Sequence, residues 1–343
     1  MKIPSLPRFS LWMIPAILGA LLLVAWLWSR GPTTSIFLAG SYPSAIAIDG
    51  AGNVWVANAG GNNVSELSPT GALVGTFAVR SDHWGIAIDG AGNVWVTNQN
   101  SGNVSELSPT GALLGTFAVG IDPSAIAIDG AGNVWVANQG GLHSNGNVSE
   151  LSPTGALLGT FAVGIDPSAI AIDGAGNVWV ANQGSNDVSE LSPTGALLGT
   201  FAVGIDPSAI AIDGAGNVWV VNVGDPYGSN GNVSELSPTG ALLGTYTVGS
   251  LPSAIAIDGA GNVWVAKEGS NGNVLELSPT GALLGTFAVG SRPFGIAIDG
   301  AGDVWVVNMG HRTIGTAAGD SNVSELIGTG ASPVKTPLLL QPK

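Results

Sequence analysis

The sequence predicts an all-β fold, a seven-bladed β-propeller of four-stranded blades that follows one N-terminal transmembrane helix. Two observations lead to this prediction. The phrase Ile-Ala-Ile-Asp-Gly-Ala-Gly-(Asn/Asp)-Val-Trp-Val recurs seven times, at a spacing of 40–45 residues, which is typical of propellers and solenoids. Each copy also contains four short β-rich runs separated by Gly, Pro, Asn and Ser, and four antiparallel strands make one propeller blade.

The N-terminal region carries an uncharged apolar stretch. Residues 11–28 (LWMIPAILGALLLVAWLW) are long enough to cross a hydrocarbon core. Lys2 and Arg8 precede the stretch and Arg30 follows it, which predicts that residues 1–10 stay in the cytoplasm. A cleaved signal peptide is the alternative, but its apolar core is usually shorter and ends in an Ala-x-Ala-like site. We therefore expect a single-pass signal anchor that places the propeller on the extracytoplasmic side, periplasmic or extracellular.

The first repeat shows how one blade is encoded. Its predicted strands are Ala45–Ile48, Val54–Ala57, Val64–Leu67 and Leu73–Val79. Turn-forming residues separate the first two strands over Asp49–Asn53, where Gly and Asn tolerate a positive φ. The second strand is apolar on both faces, as expected when a blade is sandwiched between two neighbours.

A tryptophan recurs in the second strand of every repeat. Stacking on a ligand is one interpretation, but regular recurrence favours packing between blades. The seven residues are Trp55, Trp95, Trp135, Trp179, Trp219, Trp264 and Trp305.

The two ends of the repeat array are complementary. The seventh repeat reaches Val323–Leu326 and then lacks its fourth strand, whereas Ile36–Ala39 matches that missing strand in register. We expect the N-terminal segment to close the ring by supplying the outermost strand of the last blade, which removes an open edge. The predicted boundaries are a linker over 29–35, a propeller over 36–332 and a C-terminal tail over 333–343.

Composition excludes several functions. The net charge is −14, and without the basic residues of the first 30 positions 6 Lys and Arg face 23 Asp and Glu, a net −17. A chain with this negative charge repels the phosphates of nucleic acid. The chain has no Cys and no P-loop, dinucleotide, His-Glu-x-x-His or Gly-x-Ser-x-Gly motif. The Asp of each repeated turn could bind calcium, but turn chemistry explains it as well. We predict no catalytic residue, no metal ligand and no cofactor.

The repeat resembles that of the NHL-repeat propellers. The pattern of that family is Pro-x-Gly-Ile-Ala, followed by Asp-x-x-Gly-Asn-Val and aromatic-Val-Ala-(Asp/Asn). Similar residues occur here at Pro293–Ala297 (PFGIA) and Asp299–Asn308 (DGAGDVWVVN), and the resemblance covers about residues 36–332. It implies a propeller, and the family includes adhesion and assembly scaffolds. The related streptogramin lyases are similar seven-bladed enzymes that use His and Glu with a divalent metal, and gluconolactonase-like propellers hold an acidic metal site at the axis.

Variation between the repeats is confined to one face. All length changes fall in loops between second and third strands or in connections between blades. Both kinds of segment lie at the same end of the propeller, which we call the variable face. We predict a shallow basic and aromatic binding patch on this face, although drift after recent duplication explains such variation too. The patch residues are Arg80, His83, Trp84, Lys267, Arg292, Phe294, His311 and Arg312.

These observations predict a membrane-anchored extracytoplasmic propeller that acts as a binding or assembly platform. Its partner would be an unidentified protein or an anionic ligand docked on the variable face, with the membrane contacted through residues 11–28. The alternative is a metal-dependent lyase or lactonase, which needs acid, base or metal ligands that converge around the axis.

Overall fold

A computed structural model describes residues 33–80, 83–141, 144–225, 230–269, 272–310 and 321–328. These ranges contain one short 3₁₀ helix, Gln99–Ser101. The strands are β1 (Thr33–Phe37), β2 (Pro43–Ile48), β3 (Val54–Asn58), β4 (Asn63–Leu67), β5 (Leu73–Ala78), β6 (His83–Ile88), β7 (Val94–Asn98), β8 (Asn103–Leu107), β9 (Leu113–Ala118), β10 (Pro123–Ile128), β11 (Val134–Asn138), β12 (Asn145–Leu151), β13 (Leu157–Ile165), β14 (Pro167–Ile172), β15 (Val178–Asn182), β16 (Asp187–Leu191), β17 (Leu197–Ala202), β18 (Pro207–Ile212), β19 (Val218–Asn222), β20 (Gly231–Leu236), β21 (Leu242–Gly249), β22 (Pro252–Ile257), β23 (Val263–Lys267), β24 (Asn273–Leu277), β25 (Leu283–Ala288), β26 (Pro293–Ile298), β27 (Val304–Asn308) and β28 (Asn322–Ile327).

The strands form seven antiparallel sheets of four strands each. Blades 1 to 6 take their strands in chain order, beginning with β2–β5 and ending with β22–β25. Blade 7 has the order β26-β27-β28-β1, so its outermost strand comes from the N-terminal side of the propeller. The predicted all-β, seven-bladed architecture with four-stranded blades is confirmed.

The hairpin between first and second strands is fixed by one aspartate. In blade 1, Asp49 Oδ1 accepts hydrogen bonds from the backbone N–H of Ala51 and Asn53, both at 2.9 Å. Its Oδ2 accepts from Asn53 Nδ2 at 2.9 Å and from Trp55 Nε1 at 3.2 Å. Gly52, at φ +85°, turns the chain in the left-handed region. The repeated Asp is therefore explained by the turn itself, and the face that carries these hairpins is called the constant face.

The core lies between blades. The tryptophan of each second strand is 0% exposed and stacks on the aromatic ring of its own outer strand, for example Trp135 on Phe161 with ring centroids 5.7 Å apart. Trp135 also packs with Ile170 and Val178 of the next blade. The predicted inter-blade role of the seven tryptophans is confirmed.

Blade 7 is closed as the sequence predicts, with one difference. Ile36 pairs with Ser324 and Phe37 with Val323, which is the register of Phe77 with Val64 in blade 1. The strand ends at Phe37 rather than Ala39 and begins at Thr33. Thr33, which the sequence assigned to the linker, instead pairs with Ile327, because β28 is long enough to offer it a partner.

Residues 11–28 lie outside the part of the chain that the structure describes. Within that part, no helix has the length and apolar character needed to span a membrane.

Candidate functional site

The seven innermost strands surround a cavity of about 590 Å³ on the propeller axis. Its wall contains the beginnings of these strands together with the residue that follows the second strand in five blades. Both segments lie at the variable face, because innermost strands start there and second strands end there. We call this cavity the axial pocket, and its volume lies in the range that proteins use to bind small molecules or peptide segments. The five residues after second strands are Gln99, Gln139, Gln183, Val223 and Glu268.

Serines of the innermost strands link neighbouring blades around the axis. In four blades a Ser Oγ donates a hydrogen bond to a backbone carbonyl of the next blade. The pairs are Ser44 to His83, Ser124 to Pro167 at 2.7 Å, Ser168 to Pro207 at 2.7 Å and Ser253 to Pro293 at 2.8 Å. Since these hydroxyls are already engaged as donors, we assign them to holding the ring together rather than to recognising a ligand.

Blades 2 and 7 replace this serine with an aromatic residue. Trp84 and Phe294 lie on either side of blade 1, and their rings meet edge to face with centroids 5.6 Å apart. Trp84 is 38% exposed, whereas the tryptophan of every second strand is 0% exposed. The axial pocket therefore has one aromatic wall that is open to solvent.

Blade 2 also differs from the other blades next to Trp84. Gly85 follows Trp84 where five blades carry Ala, and its N–H donates to Thr97 Oγ1 at 2.8 Å. Thr97 is buried and replaces an Ala or Val of the other blades. The buried Thr97 hydroxyl thus has a hydrogen-bond partner across the hairpin, as buried polar groups usually do.

Glutamines of three consecutive blades line another part of the pocket wall. Gln99, Gln139 and Gln183 come from blades 2, 3 and 4, and Gln99 Nε2 donates to Gln139 Oε1 at 3.3 Å. Each amide offers both a donor and an acceptor. Sequence analysis missed these residues, although the position after the second strand varies between repeats and could have indicated them.

One ion pair lies beside the pocket. Arg292, in the connection between blades 6 and 7, donates to Glu268 Oε2 at 3.4 Å. The two side chains are partly exposed, so the pair contributes little to stability. Its effect is to offset the charge of Glu268, the carboxylate that lines the described part of the pocket.

Lys267 replaces an asparagine that the other six blades keep. The structure buries all six of these asparagines. In blade 1, Asn58 Nδ2 donates to Ser65 Oγ at 2.9 Å. In blade 6 both partners change together, because Leu275 stands in place of that serine. Lys267 is thus accompanied by a compensating change.

The structure brings together only part of the predicted patch. Trp84 and Phe294 are in contact, and Arg292 lies close to the pocket through Glu268. Arg80 is exposed in the connection between blades 1 and 2. His83 does not fit an exposed patch, since it is 0% exposed at the start of the innermost strand β6. His311 and Arg312 lie outside the described residues.

Comparison with known proteins adds the fold class. No protein-family model matches this chain, and no curated protein does so. Among solved structures, a streptogramin B lyase is similar over 86% of this chain and 97% of its own, with a TM-score of 0.72 and 18% identity. The chain shares the fold of this lyase.

Two further solved structures are also similar to this chain. Virginiamycin B lyase from Staphylococcus aureus has a TM-score of 0.71 at 15% identity, over 86% of this chain and 99% of its own. The WD40 β-propeller domain of Doa1 has a TM-score of 0.68 at 11% identity, over 86% and 97%. Identities this low carry the propeller architecture and no activity. The resemblance to NHL-repeat propellers stays a prediction.

Carboxylates also gather on the constant face, and they are most crowded in blade 7. In blade 2, Glu106 Oε1 accepts a hydrogen bond from Asn93 Nδ2 at 3.0 Å. Blade 7 has Asp303 in place of that asparagine, so Glu325 lacks this donor. Burial, with the negative charges of Asp303 and Asp299, raises the pKa of Glu325 to about 7. No three acidic or His side chains in the described ranges are arranged to hold a metal ion.

We expect this carboxyl to make the propeller more stable in mild acid. The pKa of Glu325 is raised above 4.5 by folding, so the stability it contributes is present below pH 4.5 and is lost as the pH rises through about 7. Glu325→Gln should therefore raise the unfolding temperature at about pH 8 by several degrees and change it little at about pH 5. Thermal unfolding at both pH values measures this, with Glu106→Gln as the matched control. An equal effect at both pH values would contradict the assignment.

Proposed function

We propose that the chain is a membrane-anchored, extracytoplasmic binding platform whose ligand site is the axial pocket of the variable face. The observation that carries the proposal is the contact between the exposed Trp84 and the half-buried Phe294 at the pocket wall, where the five other blades carry a serine. Exposed aromatic side chains in a concave site are the usual anchors of binding. Residues 11–28 and their basic flanks support the anchor and its orientation.

The chemistry of the wall favours a peptide segment of a protein partner. An aromatic surface packs against an apolar side chain, while the amides of Gln99, Gln139 and Gln183 can pair with backbone N–H and C=O groups. Glu268 and Arg292 offset each other's charge, so an anionic ligand would have to compete for Arg292. The experiment below distinguishes an anionic ligand from a neutral peptide segment.

A lyase or lactonase activity has less support. Such an activity would require a base, an acid or metal ligands that converge on the bound substrate. Of the described residues, His83 is buried and Glu268 is paired with Arg292. The structural likeness to lyases is at 18% identity, so it supports the fold and leaves the platform as the better-supported function.

A peptide library tests the site directly. We expect panning of the full chain against random peptides displayed on phage to enrich a consensus that binds it, and Trp84→Ala to weaken that binding at least about tenfold, as loss of an aromatic anchor does. Fluorescence should report the binding as well, because Trp84 is exposed while the second-strand tryptophans are buried.

Two further variants complete this test. Ala91→Ser, an exposed change on the constant face, should leave the affinity unchanged. Arg292→Gln should alter it little for a neutral consensus. An acidic consensus that is lost with Arg292→Gln would identify an anionic partner instead. Peptides that bind Trp84→Ala as tightly as the parent chain would overturn the proposed site.

A further inference from the structure

Six blades expose a pair of adjacent aliphatic side chains at the start of their outermost strand. These twelve side chains are between 54% and 61% exposed. Single exposed leucines need no explanation, but here two neighbours recur at the same height on every blade from 1 to 6. The pairs are Leu73 and Val74, Leu113 and Leu114, Leu157 and Leu158, Leu197 and Leu198, Leu242 and Leu243, and Leu283 and Leu284.

All pairs lie on the rim of the constant face. Each follows the turn that joins third and fourth strands, which in blade 1 is closed by hydrogen bonds from Ser68 N to Ala72 O and from Gly71 N to Ser68 O, both at 2.8 Å. The six pairs form a broken apolar band around one end of the propeller, which we call the aliphatic rim. The axial pocket opens at the opposite face.

Blade 7 interrupts the aliphatic rim at the point where the chain enters the propeller. Phe37 pairs with Val323 as Phe77 pairs with Val64, and Thr33 precedes Phe37 by four residues as Leu73 precedes Phe77. Thr33 therefore occupies the rim position, between the pairs of blades 6 and 1. Ile327 adds a 39% exposed aliphatic side chain beside it. The described part of the chain therefore begins at the constant face, with Thr33.

The distance from the rim to the apolar stretch is short. Four residues, 29–32, separate Trp28 from Thr33, and an extended chain covers about 3.3–3.6 Å per residue. If residues 11–28 span a bilayer, the rim of blade 7 is held within about 18 Å of its surface. A rigid propeller tethered there brings the neighbouring pairs of blades 6 and 1 to the lipid headgroups.

We propose that the aliphatic rim around blades 6, 7 and 1 rests on the lipid bilayer, with Leu73, Val74, Leu283 and Leu284 in its interfacial layer. This inference rests on the proposed anchoring by residues 11–28. Beyond the anchor the chain has 6 basic and 23 acidic residues, so electrostatic attraction to anionic lipid does not hold it on the membrane. The contact therefore depends on the apolar side chains of the rim. It turns the axial pocket away from the membrane, where a partner can reach it.

Site-specific quenching in vesicles tests the contact. The chain has no Cys, so Val74→Cys, Leu198→Cys and Ser101→Cys each give one labelling position in the full chain. These positions lie on the near rim, on the distant rim of blade 4 and on the variable face. With a bimane label and phosphatidylcholine vesicles that carry doxyl-labelled lipid, we expect at least about twofold quenching at position 74, less at position 198 and none at position 101.

The outcomes separate this inference from the proposed anchoring. A full chain that does not float with the vesicles overturns both. A chain that floats but is quenched equally at positions 74 and 101 overturns the rim contact alone. A label at position 74 that is shielded from aqueous iodide without lipid quenching shows that protein, such as a second copy, covers the rim. Quenching that requires anionic lipid also overturns the apolar contact, whereas quenching that survives high salt supports it.

Discussion

Replacing Trp135 by alanine should lower the free energy of unfolding by about 3 to 5 kcal/mol, the cost of emptying a large aromatic site in a packed core. Trp135 is fully buried, stacks on Phe161, and packs against Ile170 and Val178 of blade 4. Its Nε1 donates to Asp129 Oδ2 at 3.1 Å, so the change also loosens the turn between the first two strands of blade 3. Both losses fall at a boundary between blades.

Chemical denaturation followed by circular dichroism measures this loss. Trp135→Phe is the matched control, since it keeps an aromatic ring against Phe161 but removes the donor to Asp129. We expect this variant to lose roughly half as much stability or less, because the smaller ring leaves a smaller cavity. If Trp135→Ala unfolds within about 1 kcal/mol of the parent chain, the tryptophan does not carry the inter-blade core.

The second large effect concerns the closure of the ring. Replacing Phe37 by alanine should raise the unfolding rate by at least about tenfold. Phe37 stacks on Trp305 with centroids 5.7 Å apart and also packs against Val54 and Leu67 of blade 1. It sits in β1, which is joined to the rest of blade 7 by its pairing with β28 and not by a hairpin. Opening there needs no other strand to move.

The matched control is Phe117→Ala in blade 2. Phe117 stacks on Trp95 with centroids 5.5 Å apart, which is nearly the same contact. It differs because β9 is joined to β8 by a tight hairpin. Stopped-flow unfolding should show a larger rate increase for Phe37→Ala than for Phe117→Ala. Equal increases would mean that the closure is no weaker than any other blade.

The architecture could be predicted from the sequence because its causes are local. A hairpin turn such as Asp49–Asn53 and an alternating strand occupy neighbouring residues, and seven copies repeat them. The closure by β1 could be predicted for the same reason, since the missing strand and its substitute share one pattern. The aromatic pair could be placed on the correct face, because blade topology alone assigns the faces.

The candidate site depends on contacts between blades, which no single repeat contains. The burial of His83 follows from the packing of the inner strands, so a histidine in a connecting segment looked exposed. The contact between Trp84 and Phe294 crosses blade 1 and joins residues far apart in sequence. The buried hydrogen bond from Asn58 to Ser65 could not be predicted from the sequence either, because Asn and Ser are both common in exposed turns.

Blade 7 is built from both ends of the repeat array, and this sets the order in which the molecule can be completed. During synthesis β1 leaves the ribosome first and β28 last of all the strands. At about 5–20 residues per second, β1 waits for roughly 15 to 60 seconds before its partner exists. Six blades can form in that time, but the seventh has to wait for translation to reach its final strand.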